Sequence, residues 1–303
     1  MFRKTLILTL LFTLLLSACG GSPATGNLTF TDGLGREVKL DGPAQRLVSL
    51  APSNTEILFA IGAGSQVVGR DEFSDYPAEA AAIESVGGSF GEYSVEAIVA
   101  LEPDLVLAAE INTPELVKQL EDVGLTVYYL KNPVTLEEMY TNLEIVGQLT
   151  GHKVSKLVDS LKERVQAVDD KVALASARPT VFYEIDASDA SKPYTYGPGT
   201  FGDLLITRAG GNNLATLAGI VDPYPQVSLE QIVATDPTMI ILGDSMWGVT
   251  PESVQARAGW ESIDAVKRDQ IFAFDDNLVS RPGPRLVDGL EQLAKLLHPD
   301  LFE

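Results

Sequence analysis

Residues 94–107 read SVEAIVALEPDLVL and residues 228–241 read SLEQIVATDPTMII, a constant offset of 134 positions with Ser, Glu, Ile, Val, Ala and Pro identical in the two copies. A period that long is not the roughly 20 to 50 residues of a solenoid, so the repeat reads as one lobe present twice. Each copy runs from a Ser able to cap a helix, through a short helical pattern ended by Pro, into an apolar run. That succession of helix and strand belongs to parallel sheets with crossover helices. A chain of 303 residues, 45% hydrophobic, has enough apolar surface to build a core in each of two such lobes.

The remaining pattern fills the lobes. Strands are expected at 46–50, 66–70, 104–108 and 126–130. Helices are expected from the cap Ser53-Asn54-Thr55-Glu56 to Gly62, at 96–101, and at 113–123, completing an N-terminal α/β lobe over residues 28–150. Gly33-Leu34-Gly35-Arg36 reads as a hairpin turn rather than a phosphate loop. The pattern resumes in a C-terminal α/β lobe over 179–303, with a strand from Thr180, helices at 201–209, 229–235 and 284–297, and strands at 239–242 and 271–274. In the connector, residues 151–178, Val154, Leu157, Val158, Leu161, Val165, Val168 and Val172 recur at steps of three and four, one stripe on a helix of roughly twenty residues. The stripe is about three heptads long and its flanking charges are unordered, which argues against a coiled coil. A single helix is stiffer than paired extended strands and implies a small opening angle between lobes. The expected class is α/β, two Rossmann-like lobes with parallel-type sheets joined by one long backbone helix.

The N-terminus sets the compartment. Arg3 and Lys4 precede an apolar run from Leu6 to Leu16, too short to span a bilayer comfortably, and Leu16-Ser17-Ala18-Cys19 follows. Residues 1–18 read as a signal peptide whose LSAC end resembles a bacterial lipobox, with Cys19 as the lipid acceptor. Residues 19–27 form a small, polar, flexible tether. Two or more acyl chains, at about 0.8 kcal/mol per buried CH₂, hold such a protein on a membrane, outside the cytoplasm. The formal charge of −20 becomes about −22 once Arg3 and Lys4 are removed with no acid, and a phosphate backbone is repelled by that surface, so no nucleic-acid partner is expected. One Cys and two His supply neither a zinc cage nor a disulfide framework, and a receptor for bare Zn²⁺ or Mn²⁺ needs more His than this. An exported enzyme needs a nucleophile and a base, but there is no G-x-S-x-G elbow, and His152 and His298 stand at helix ends.

Aromatic residues collect in loops. Phe90 and Tyr224 each lie six residues before the Glu of a repeat copy, Glu96 and Glu230, and face one another across the expected cleft. Phe73 and Tyr76 in EFSDYP, Tyr194 and Tyr196 in KPYTYGPGTFGD, Trp247, and Arg281 in SRPGPR join them. Together they describe an aromatic-walled groove with few charges, suited to a large, flat or bulky ligand.

The segments VSLAPSNTEILFAIGAGSQVVG, FSDYP, VEAIVALEPDLVL, YTYGPGTFGDLLITRAGGNNL, PQVSLEQIVATDP and RPGPRLVDGLEQLAKLLHP, with the lipobox, resemble the iron-siderophore and vitamin B12 substrate-binding proteins of ABC importers. The likeness runs from about residue 28 to 300. It implies a class III substrate-binding protein, monomeric and without catalytic residues or a cofactor of its own. Such a receptor hands a small-molecule chelate to an ABC permease dimer with its ATPase subunits. It also implies that Glu96 and Glu230 dock to permease arginines. PYPQVSLEQ is especially similar to the cobalamin-binding members, which places Phe73, Phe90 and Tyr224 against a corrin ring, although Phe and Tyr stand where Trp is expected. A ferric siderophore or haem, met by Arg281 and Tyr196, is the alternative ligand.

Overall fold

The computed structural model describes residues 27–302, apart from the side chain of Phe90; the signal peptide, Cys19 and all of the tether except Asn27 lie outside the described residues. The chain opens on an antiparallel hairpin of β1 (Leu28–Thr31) and β2 (Glu37–Leu40). Its turn is the expected one: the Asp32 carboxylate accepts the backbone N–H groups of Leu34 and Arg36, and Gly35 takes φ +76°.

The N-terminal lobe follows as β3 (Leu47–Ser49), α1 (Pro52–Ala60), β4 (Val67–Arg70), α2 (Val95–Ala100), β5 (Leu105–Ala109), α3 (Pro114–Asp122), β6 (Val127–Leu130) and α4 (Leu136–Thr150). Its four strands are all parallel, in the order β4-β3-β5-β6. The connector helix is α5 (Ser155–Val172). The C-terminal lobe contains β7 (Thr180–Asp186), β8 (Tyr194–Thr195), α6 (Phe201–Arg208), β9 (Asn212–Asn213), α7 (Leu214–Leu217), α8 (Leu229–Thr235), β10 (Met239–Leu242), α9 (Pro251–Gln255), α10 (Asp264–Lys267), β11 (Ile271–Ala273), α11 (Asn277–Ser280) and α12 (Leu286–Leu297). There β9 and β10 flank β7 in parallel and β11 lies outside β10, while the short β8 pairs antiparallel with the far end of β7.

The order β9-β7-β10-β11 is the order β4-β3-β5-β6 over again, so the repeat read from fourteen residues extends to lobe topology. The register agrees: Leu47 lies beside Leu105 in one sheet and Val181 beside Met239 in the other, and Val181 and Met239 stand 134 positions after Leu47 and Leu105. Strand order reverses between β3 and β5 and between β7 and β10, and in such sheets the crevice for a ligand opens at the carboxyl ends beside that reversal.

The stripe on α5 is buried as its spacing requires, with Val158, Leu161, Val165 and Val168 packed between α4 of one lobe and α12 of the other. Arg164 on α5 fastens the C-terminal side, donating to Asp288 at 2.5 Å and to Glu291 at 2.6 Å on α12.

Two local expectations are corrected. First, α1 is not capped by Ser53: it starts at Pro52, whose fixed φ suits the first helical position, with Ala51 as an N-cap that offers no side-chain bond. Ser53, Asn54, Thr55 and Glu56 are instead buried within the helix. Second, residues 136–150 form α4, a helix that the sequence reading passed over. Leu136, Met139, Leu143, Val146 and Leu149 are buried on one face, Thr135 caps its start, and Gly151 ends it at φ +79°.

Candidate ligand cleft and docking faces

The reversal point of the N-terminal sheet opens onto a cleft of about 550 Å³ that the C-terminal lobe closes from the other side. From the N-terminal lobe it is lined by Ala51–Ser53 after β3, Ala109–Ile111 after β5 and Asn132 after β6. Tyr224 and Ser280–Pro282 close it from the other lobe.

A hydroxyl network fixes the N-terminal wall. Thr55 on α1 bonds Ser49 at 2.8 Å and Ser74 at 2.7 Å, and Ser74 in turn donates to the buried Asp71. Asp71 also accepts the N–H of Phe73 at 2.9 Å, and burial pushes its carboxyl above the ordinary range. The FSDYP loop is thereby tied to β3 and α1, leaving Phe73 and Tyr76 half-exposed. On the neighbouring loop, Asn112 donates to the Leu50 carbonyl and to the Tyr93 hydroxyl, itself bonded to Leu50. That bracing holds Glu110 and Ile111 at the cleft.

The C-terminal wall is aromatic in depth. Tyr183 and Tyr196 both donate to one oxygen of Asp276 at 3.0 Å, and their rings lie 5.1 Å apart. Tyr224 stacks edge-on against Tyr196 at 6.1 Å and is 56% exposed. A Cβ on Gly197 would stand 1.9 Å from the Asp222 carbonyl oxygen, so only Gly lets this loop close on the turn that carries Tyr224. Burial raises the Asp276 carboxyl and lifts both buried phenols far above their ordinary value.

Of the expected ligand residues, Tyr224 and Arg281 line this cleft, and Phe73 adjoins it through its carbonyl, 3.4 Å from the Arg281 guanidinium. Tyr194 on β8 and Trp247 at the end of the 3₁₀ turn Gly243–Trp247 are exposed at the carboxyl ends of the C-terminal sheet, without lining the cavity. The backbone of Phe90 sits in a 3₁₀ turn, Ser89–Gly91; its side chain lies outside the described residues. Tyr196 is corrected: it is 4% exposed, held behind Tyr224 by Asp276, and supports the wall rather than forming its surface. Two charged residues face the cavity, the expected Arg281 and Glu110, which the sequence reading did not name.

Arg281 is not a free cation. It donates to Glu56 at 3.0 Å and to Asp75 at 2.7 Å, and Arg285 grips the same Glu56 at 2.5 and 2.8 Å while stacking on Tyr76, 3.9 Å from the ring centroid. Glu56 is 2% exposed and belongs to α1, whereas both arginines precede α12, so this ion cluster joins the lobes at the cleft floor. A larger hollow of about 660 Å³ flanks the cluster on its hinge side, against Leu157 and Leu161 of α5. Of the aromatics expected to wall the ligand groove, Tyr76 lines this hollow and not the cleft.

Glu96 and Glu230 are exposed in the first turns of α2 and α8, whose N-caps Ser94 and Ser228 accept from the third residue of each helix. His152 bonds Gln66 and His298 bonds the Gly210 carbonyl, both at helix ends. Sequence reasoning missed the cleft residues Glu110 and Asn132, and the Glu56–Arg285 pair that joins the lobes. Glu110 had a signal: the 134-residue offset continues to Asp244. Glu56 and Arg285, 229 positions apart, had none.

The sequence profile of the family described as "Periplasmic binding protein" matches residues 47–278. The chain is 34% identical, over 91% of its length and 87% of the relative's, to the "Uncharacterized ABC transporter substrate-binding lipoprotein YvrC" of Bacillus subtilis (strain 168). It is 32% identical, over 84% and 90%, to a "Vitamin B12-binding protein" of Vibrio cholerae serotype O1. Among solved structures it superimposes with a TM-score of 0.75, at 26% identity and over 85% and 99% of the two chains, on the "Periplasmic heme-binding protein RhuT" from Roseiflexus sp. RS-1.

Proposed function

Because the chain belongs to the periplasmic binding protein family, among the ABC-importer substrate-binding proteins of the B12, siderophore and haem group, we propose that it captures a corrinoid, cobalamin, in the inter-lobe cleft. It then delivers that ligand to a permease dimer with ATPase subunits. The observation that carries the ligand reading is the layered wall: exposed Tyr224 backed by Tyr196 and by Tyr183 of β7, a rigid aromatic face of the C-terminal lobe. A flat macrocycle gains most from such a face, because it meets an aromatic surface that has little freedom to lose. Relatives named for cobalamin or vitamin B12 that match most of this chain support the same ligand. Phe73 meets the ligand from the facing lobe, with Tyr194 and Trp247 at the rim, and Cys19 carries the lipid anchor outside the cytoplasm. Glu96 and Glu230 dock to the permease.

Haem is the second reading, favoured by the exposed tyrosines of the rim and by the superposition on a haem-binding structure. Titration calorimetry with cyanocobalamin, haemin and ferric hydroxamates separates the two. With cyanocobalamin as ligand, Tyr224→Ala lowers affinity about tenfold to a hundredfold, the 1 to 3 kcal/mol of a packed aromatic contact. Saturable binding of haemin with no heat from cyanocobalamin refutes the corrinoid reading.

A further inference from the structure

Within the repeat, identity has two kinds of cause. Ile98 and Ile232 are fully buried, Ser94 and Ser228 are caps, and Pro103 and Pro237 follow helix ends, so the fold accounts for these. Glu96 and Glu230 are exposed, and so are Val99 and Val233, at 41% and 36%. Three residues apart on a helix, each Glu and its Val share a face. An exposed β-branched residue weakens a helix relative to Ala, so the fold offers no reason for Val at either place. Single exposed apolar residues are ordinary; the same acid-and-Val pair on both lobes, at equivalent places in one duplicated helix, is not. Neither α2 nor α8 contains a Lys or Arg.

We infer that Val99 and Val233 are apolar halves of a docking surface made twice, each seated beside its glutamate in a socket on one half of a two-fold symmetric, basic partner. Charge sets the partner's sign and the duplication sets its symmetry. The inference rests on the permease reading above, and adds that each arginine contact is walled by a dry apolar contact. Such a wall excludes water from the ion pair and slows dissociation, while the exposed charge governs encounter.

The test is association with the cognate permease–ATPase complex in nanodiscs, at low and at physiological salt, for the full-length protein. The Val99→Ala, Val233→Ala pair weakens association about tenfold, mainly through faster dissociation, with the salt dependence of the wild type. The Val99→Thr, Val233→Thr pair, which keeps shape and removes apolarity, does the same. Both pairs melt like the wild type, which excludes an unfolding artefact. The Glu96→Ala, Glu230→Ala pair loses more affinity and flattens the salt dependence. If the glutamate pair fails to dock while both valine pairs dock normally, the apolar wall is refuted and the permease reading stands. If the glutamate pair also docks normally, the permease reading falls and takes the inference with it.

Discussion

Glu110 follows β5 and Asp244 follows β10, at the same place in the two lobes, yet Glu110 is exposed at the cleft while Asp244 is 4% exposed. The neighbouring strands differ in the complementary sense. Leu50 follows β3 where Glu184 ends the equivalent stretch of β7, and both are fully buried. The N-terminal lobe therefore has an apolar residue beneath a free carboxylate. The C-terminal lobe has two carboxylates beneath its wall, and it recruits Arg257, whose guanidinium grips Glu184 at 2.5 and 2.8 Å and stacks on Trp260. Duplication preserved strand order and hydrophobic pattern. Chemistry diverged at the strand ends, where one lobe presents charge to the cleft and the other buries it beside Arg257.

The largest effect is expected where that C-terminal solution is broken. Arg257→Ala leaves Glu184 buried without its counter-charge, and removing one member of a buried pair costs about 3 to 5 kcal/mol. Chemical denaturation checks this. Importing the N-terminal solution sharpens the comparison: Glu184→Leu with Arg257→Met should recover most of the loss, since a well-packed apolar replacement of a buried pair is often neutral. If the double variant is as unstable as Arg257→Ala, the lobes are not interchangeable at this position.

The second effect is a pH dependence confined to one lobe. Both Asp244 oxygens are buried without a partner, and burial, then the Glu184 carboxylate beside it, push its carboxyl up from 3.8 to about 7. Arg257 opposes the shift, and Asp276 faces the same turn, near Gly243. The folded protein thus retains a proton that the unfolded chain releases, and the protonated acid can donate to Glu184. Stability from this group is complete below about pH 4, declines as pH rises through the window to about 7, and is then lost. Asp244→Asn, which keeps a donor toward Glu184, removes the decline. At pH 8 it should be more stable than wild type by an amount on the order of 2 to 3 kcal/mol, converging near pH 4. A constant difference between the two proteins across pH would place the titrating group elsewhere.

The same contrast explains what could be read before folding. Alternation of apolar runs and helical stripes is local, and it located β3, β5, β6, β7, β10 and α8 to within a residue or two, while α5 (Ser155–Val172) is shorter than the 151–178 connector. The stripe of α4 is just as local, since Leu136, Met139 and Leu143 stand at helical spacing after the cap Thr135. Tyr196 could not be told from Tyr224 by sequence, because both sit in Gly- and Pro-rich loops; only Asp276, 80 positions away, makes one a buried support and leaves the other a surface. The Glu56 cluster was invisible for the same reason. Its helix looked capped at Ser53, and nothing local reports that two arginines more than 220 positions later neutralise Glu56.

The smallest predicted effect compares the lobes at one backbone position. Glu102 and Asp236 are again 134 apart, each just past its repeat helix, each with left-handed backbone at φ +47° and +49°. A side chain there is strained by about 1 kcal/mol, and Gly relieves the strain while giving back some of it through a more flexible unfolded chain. In the N-terminal lobe Arg46 bonds the carbonyls of Leu101 and Glu102, contacts that survive loss of the side chain. Glu102→Gly should therefore be neutral or stabilising by roughly 0.5 kcal/mol. In the C-terminal lobe the Asp236 carboxylate accepts the N–H of Asp264 at 2.8 Å and so caps α10. Asp236→Gly gains the same relief but loses that bond, about 1 kcal/mol, leaving it neutral to destabilising. Unfolding free energies of the two variants from urea titration should differ by about 1 kcal/mol, with Glu102→Gly having the higher midpoint. Equal midpoints would mean that the Asp236 cap contributes nothing, and that the two lobes end this helix by backbone conformation alone.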